Sequence, residues 1–394
     1  MKKLLCLLLS ACMILSIVSC TVADQPHTPE QEETPPTSEQ PVQTEQDEEV
    51  VEDEVVGKIL LLTILYSNEI EYNAHYVYAQ TAAERYPDRV VHFYSKQFYL
   101  EGEHYDSWIE DLIEEIDTRI RNDQIKAFIV INEYNEYNDV VVRVSELHPE
   151  LFFFGINALA FVNEKIDKHM SLDYRCPEYV IKNVQQAKLM GVENIVSFML
   201  ENPSTGELYT DGYLSIVREE SNAHGITYSE RSTALYNSYQ PFFEAEINEK
   251  GRNTMFYTNF AYSGLGRDTL VSGAVTIPVF SPDMTSILFS IGYINYGDYD
   301  SQQEVLREFL KEHNATGNSA LWYFPLEHIA LTAAVEYAIG YIDGDIEACN
   351  DYDALFVCFG KGFQLLGNPE IGFELHRSET YDNLFFLVQD YMVY

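Results

Sequence analysis

The chain has 394 residues, of which 46% are apolar, and carries 63 Asp and Glu against 24 Lys and Arg, a formal charge of −39. That length and apolar fraction suit two domains of ordinary size with real cores. The acidity excludes a nucleic-acid partner and a face lying flat on an anionic membrane, since both need basic surface. It reads instead as solvated surface. Most of the 29 tyrosines belong to sheet and interface packing, with an aromatic-rich binding site as the alternative.

In chain order, Met1-Lys2-Lys3 and the apolar run over 4–18 read as an export signal, too short for a comfortable membrane span. The run ends Ile17-Val18-Ser19-Cys20, which resembles the bacterial lipobox. That resemblance implies a signal peptide over 1–20, with Cys20 as the lipidated first residue of the mature chain. An ordinary signal with a chance cysteine is the alternative. Residues 21–56 hold 12 acids, no Lys or Arg, and repeated Pro, Thr and Gln. Such a segment cannot bury apolar surface, and is expected to be a disordered, charge-extended tether.

Cys6 and Cys12 lie in the signal, which leaves Cys176, Cys349 and Cys358 in the folded part, an odd number without a disulfide framework. Cys349 and Cys358 could pair. Cys358 sits in an apolar run, however, and is expected to be a buried thiol. No cysteine spacing suits zinc.

Gly57-Lys58-Ile59-Leu60-Leu61-Leu62-Thr63-Ile64-Leu65 is a continuous apolar run, the signature of a strand covered on both faces, expected over 58–65. Asn68 with Glu71 reads as a capping box opening a helix over 69–86 that stops at Pro87. Further strands are expected at 89–94, 125–131 and 151–156, with helices at 107–122 and 136–147. The first of these helices opens on a capping box of Ser107 and Glu110. Pro177 and Gly191 bracket another helix. A second series follows, with strands near 194–200, 226–231, 254–258 and 274–279 and helices near 208–223, 240–249 and 301–313. A long helix from Pro325 to about Tyr341 and a strand at 384–388 complete the pattern. Alternation of this kind predicts an α/β fold of right-handed βαβ units, doubly wound about parallel sheets. Two such lobes around a cleft are expected, an N-terminal lobe over 57–175 and a mainly C-terminal one over 176–394. Late segments are free to cross back to the first lobe.

The chain resembles the bacterial lipoprotein family known as domain of unknown function 3798, within the type I periplasmic-binding-protein superfamily. The resemblance rests on Gly57-Lys58-Ile59 with Asn68-Glu69, Tyr86-Pro87-Asp88-Arg89-Val90-Val91-His92 and Lys126-Ala127-Phe128-Ile129-Val130-Ile131-Asn132. Met190-Gly191-Val192, Phe256-Tyr257-Thr258-Asn259 and Leu387-Val388-Gln389-Asp390-Tyr391 complete it. It implies two lobes that close over a small solute for transport or sensing. Where many type I sugar receptors carry Asn-Asp at a second-lobe strand end, this chain has Asn259-Phe260. A carboxylate is exchanged for a ring, which favours stacking over a generic sugar site.

Ligands of such folds meet the carboxyl ends of strands. On that logic the first lobe offers Ser67, Asn68 and Glu69, then Asn132, Glu133 and Tyr134, then Asn157. The second offers Ser204, then Asn259 and Tyr262, then Ser281, with Trp322 and Tyr323 before the Pro325 helix. Each has a bland alternative as loop or cap. No nucleophile elbow, phosphate loop, His-Glu-x-x-His or Rossmann fingerprint occurs, so no catalytic residue, metal or cofactor is expected. The expected function is a membrane-anchored extracytoplasmic solute-binding lipoprotein for a small polar, ring-bearing molecule. Its partners would be a membrane permease or a sensor, and it would touch the membrane through the lipid only. The alternatives are a surface protein-interaction lipoprotein that kept the fold without the cleft and, more remotely, a hydrolase.

Overall fold

The computed structural model of the chain describes residues 56–65, 73–96, 103–131, 138–156, 166–173, 176–201, 212–234, 240–258, 268, 271–274, 299–313, 320–322, 326–389 and 391–393. Its architecture starts from β1 (Lys58–Leu65), whose residues leave no polar face to turn toward water. Ile59 and Leu61 enter one core, and Leu60, Leu62 and Ile64 another. Both sides therefore need helices. α1 (Ala74–Arg85), α8 (Leu326–Asp343) and α9 (Tyr352–Leu365) cover the first face, and α2 (Glu103–Asn122) and α3 (Asn138–Leu147) the second.

β1 pairs in parallel with β2 (Val90–Lys96) and β3 (Ile125–Ile131), and β3 with β4 (Phe152–Ile156). β5 (His169–Leu172) follows β4, and β11 (Leu384–Gln389) lies parallel beside β5. Antiparallel β10 (Phe373–Arg377) ends the sheet, whose order is β10-β11-β5-β4-β3-β1-β2. A second parallel sheet, ordered β7-β6-β8, is built from β6 (Asn194–Glu201), β7 (Thr227–Ala234) and β8 (Thr254–Thr258). Ile195, Met255 and Tyr257 meet α4 (Pro177–Leu189) and α5 (Leu214–Ala223) on one face of it. Val196, Phe198 and Phe256 meet α6 (Gln240–Lys250) on the other. The expected α/β class with doubly wound parallel sheets holds, although the described sheets are unequal in width. α7 (Tyr299–Glu312) precedes β9 (Ala320–Trp322), which pairs antiparallel with β12 (Tyr391–Val393).

α4 is shared between the cores. Cys176 at its N-cap and Tyr179 pack with the large sheet, while Val180, Val184 and Ala187 pack with the small one. Its first turn is held by Glu178, whose carboxylate accepts from the backbone N–H groups of Glu379 at 2.8 Å and Thr380 at 3.2 Å. The hydroxyls of Ser378 and Thr380 also donate to it, each at 3.2 Å. Burial alone would raise the Glu178 pKa, but these donors outweigh it and hold the group below the usual carboxylate range.

Several boundaries differ from expectation. α1 begins at Ala74, with Asn73 as the N-cap accepting from Tyr76 N–H at 2.9 Å; the expected cap, Asn68, lies outside the described residues. α2 begins at Glu103, so Ser107 is inside the helix and caps nothing, and Glu110 instead grips Arg143 at 2.5 and 2.7 Å. α5 begins at Leu214 rather than near 208. β5, β9, α9, β10 and β12 were not expected. The strand expected at 274–279 falls beyond the described residues except for buried Ala274. Cys176, Cys349 and Cys358 are all free, and burial pushes the Cys358 thiol up to about 12. No described helix is long and apolar enough to cross a membrane.

Candidate functional site

The strand orders point to a candidate site. In the large sheet the chain steps from β1 to β2 on one side and then returns past β1 to β3 on the other. The crossovers pack on opposite faces, α1 on one and α2 on the other, so the carboxyl ends of β1 and β3 form a topological switch point, the place where ligands of such sheets bind. Thr63 is opposite Ile131 there. The small sheet repeats the arrangement: β6 lies between β7 and β8, with Phe198 opposite Thr258 at its switch point.

The sequence-predicted residues follow these strand ends in the chain. Ser67, Asn68 and Glu69 come after β1, Asn132, Glu133 and Tyr134 after β3, and Asn157 after β4. Ser204 comes after β6, and Asn259 and Tyr262 after β8. All of them, with Cys20, Ser281 and Tyr323, lie outside the described residues. Trp322 ends β9, with its backbone opposite Tyr391.

Described side chains supply the surroundings of the first switch point. Arg89, just before β2, donates to both carboxylate oxygens of Asp343 at 3.0 and 2.7 Å and to the Gly57 carbonyl at 3.1 Å. The last residue of α8 is thereby fixed at the amino edge of the sheet. An 18-residue helix rises about 27 Å, so packing along the sheet brings its first turn to the carboxyl edge. Glu327 and His328 lie in that turn, and both are buried. The His328 ring stacks on Tyr78 of α1 with centroids 4.1 Å apart. The Tyr299 hydroxyl of α7 is hydrogen-bonded to His328 Nδ1. Burial, aided by the positive charge of Arg85, pushes the His328 pKa down to about 3, so the imidazole stays neutral.

A second cluster occupies the β2 side. The Gln80 carbonyl oxygen accepts from His92 Nδ1 at 3.2 Å, which leaves His92 Nε2 to accept from the Thr63 hydroxyl at 2.9 Å. Tyr76 stands 5.0 Å from the His92 ring and 5.2 Å from Tyr94, edge-on to the latter. Burial pushes His92 down to about 4, and burial, then the Tyr94 and Glu84 charges, raises Tyr76. The edge of this sheet thus presents rings and neutral hydrogen-bonding groups, suited to holding a polar molecule by stacking and hydrogen bonds.

Sequence reasoning missed both clusters. Their members come from α1, β1, β2, α7 and α8, and only the Glu327-His328 pair just after Pro325 was a local signal. Glu110 and Glu230 are held low chiefly by hydrogen bonds from Arg143 and Arg218, and Glu178 by the donors described above. Among the described residues no three His, Cys, Asp or Glu side chains converge on a metal position.

No family model matches the chain, and no curated protein matches it. Among solved structures, a transcriptional regulator from Clostridium difficile 630 aligns with TM-score 0.65 and 16% identity over 86% of this chain and 99% of its own. That likeness is one of fold. An ABC-transporter solute-binding protein from Rhodopseudomonas palustris BisB5, in complex with 3,4-dihydroxybenzoic acid, aligns with TM-score 0.44 and 13% identity over 77% of this chain and 85% of its own. A periplasmic ribose ABC transporter protein from Conexibacter woesei DSM 14684 aligns with TM-score 0.41 and 11% identity, covering 73% and 87%.

Proposed function

We propose that the chain is an extracytoplasmic solute-binding lipoprotein of the type I periplasmic-binding-protein kind, akin to the lipoprotein family of domain of unknown function 3798. Cys20 carries the lipid, residues 21–56 form the tether, and the lobes close over one small polar, ring-bearing molecule. The trapped solute is then offered to a membrane permease or a sensor. The observation that carries this reading is the coincidence of two independent patterns. The polar tracts Ser67-Asn68-Glu69, Asn132-Glu133-Tyr134 and Asn259 follow the strands that flank the switch points of both sheets. α4, packed into both cores, supports a joint about which two lobes close.

The test is a thermal-shift screen against sugars, nucleosides, amino acids, peptides and aromatic acids. A ligand present at a hundred times its dissociation constant should stabilise the fold by about 2.7 kcal/mol. Asn132→Ala and Asn259→Ala should each abolish the rise. Silence across the panel would overturn the receptor reading. The anchor is tested separately: labelled palmitate should enter the wild type in a bacterial host and be lost with Cys20→Ala.

A further inference from the structure

α9 carries two glycines in opposite surroundings. Gly362 faces inward, where an added Cβ would lie 2.9 Å from Ile329 Cδ1 and would have to displace that side-chain end for the helix to close on α8. Gly360 faces outward, and an added Cβ would meet nothing within 4 Å. Its φ is not positive. The protomer's own packing therefore makes no use of Gly360, and the helix loses propensity by keeping it. Something outside the protomer accounts better for a missing side chain, because glycine permits close approach of another backbone.

The surface around Gly360 is apolar. Phe356 is 42% exposed, Val357 56% and Leu365 40%. Phe356 is braced from beneath by Phe373, with ring centroids 4.8 Å apart. In a chain with 63 acids and 24 bases, the outer face of α9 holds one of each, Asp353 and Lys361. Lys361 reaches Glu336 at 3.8 Å but keeps 57% of its side chain exposed.

We infer that this face is a homodimer interface, with a second copy of the chain as its occupant. An isologous contact must be self-complementary about a twofold axis, and α9 has that symmetry. With the axis between residues 358 and 359 and the helices antiparallel, Val357 covers Gly360 of the partner subunit. Tyr352 meets Leu365 of the partner subunit, and Asp353 comes within reach of Lys361 of the partner subunit. The charges thus complement each other twice over. α9 is 14 residues long, or about 21 Å. One helix pair buries less than the roughly 1,200–2,000 Å² of a stable specific interface, so the dimer forms reversibly with concentration.

Sedimentation velocity of the full chain over a concentration series tests this. The wild type should pass from monomer to dimer. Val357→Glu and Asp353→Lys should each move the midpoint upward at least about tenfold. Asp353→Lys combined with Lys361→Asp should bring it back, because the pairs re-form with signs exchanged. Gly360→Ala should weaken the dimer while leaving the melting temperature of the dilute monomer equal or higher, which separates association from folding. A chain monomeric at every concentration would overturn the inference, as when residues 1–55 or another protein cover the face. A dimer indifferent to all four variants would overturn it equally.

Discussion

His328 is a residue whose charge state is settled by where it sits. Stacked on Tyr78 and bonded to Tyr299, it would have to bring a charge into a space that holds no water-like solvation. Its folded pKa of about 3 is below the ordinary 6.5, so between those values the unfolded chain takes up a proton that the folded chain refuses. Stability should therefore be full above about pH 6.5 and fall as pH drops, by up to about 1.4 kcal/mol per pH unit for each such group. His92, held down to about 4, adds to the same slope. Thermal melts from pH 7 to pH 4 should show the decline. His328→Asn should lower the melting temperature at pH 7 but flatten its dependence on pH, and a slope unchanged by that substitution would remove His328 from the account.

At the scale of elements, α9 and α4 make the informative comparisons. Gly362→Val forces side-chain atoms against Ile329 and should cost about 1–3 kcal/mol in urea unfolding, whereas Gly360→Ala two positions earlier should be neutral or stabilise by up to about 1 kcal/mol. At the start of α4, Glu178→Ala strips the acceptor from two backbone N–H groups and should cost about 1–3 kcal/mol by the same measurement. The legibility of elements in the sequence follows their chemistry. β1, β3 and β8 are apolar on both faces, and their expected limits match the structure to the residue. β5 is only His-Met-Ser-Leu. It is a strand because β4 and β11 flank it, which no local pattern reveals. α9 had the helical spacing Leu355, Cys358, Phe359, Phe363 and an N-cap at Asp351, but apolar residues on its outer face blurred the periodicity. The N-cap of α1 was not singled out in the sequence because a capping residue is a short motif with many equivalents: Asn73 supplies the acceptor here, while Asn68 lies outside the described residues.

For the molecule as a whole, a formal charge of −39, with 51 acids against 22 bases beyond residue 56, means that the folded state confines its own repulsion. Raising salt from about 10 to 150 mM shortens the screening length from about 30 to 8 Å, so the melting temperature should rise over that interval; a fall would show that specific ion pairs outweigh the net charge. The strand ends around the switch points were legible for a simple reason, since a strand buried on both faces must end where polar residues begin. The surroundings were not legible because Tyr78, Tyr299 and His328 meet only through tertiary packing. One consequence of the sheet order concerns time rather than space. β11 stands between β5 and β10, yet it is made more than two hundred residues after β5. A chain emerging from the ribosome therefore carries a sheet with a bare edge at β5 through most of its synthesis, and Glu178 waits just as long for the loop at Ser378. A stop codon anywhere before Leu384 would leave that edge without its neighbour for good.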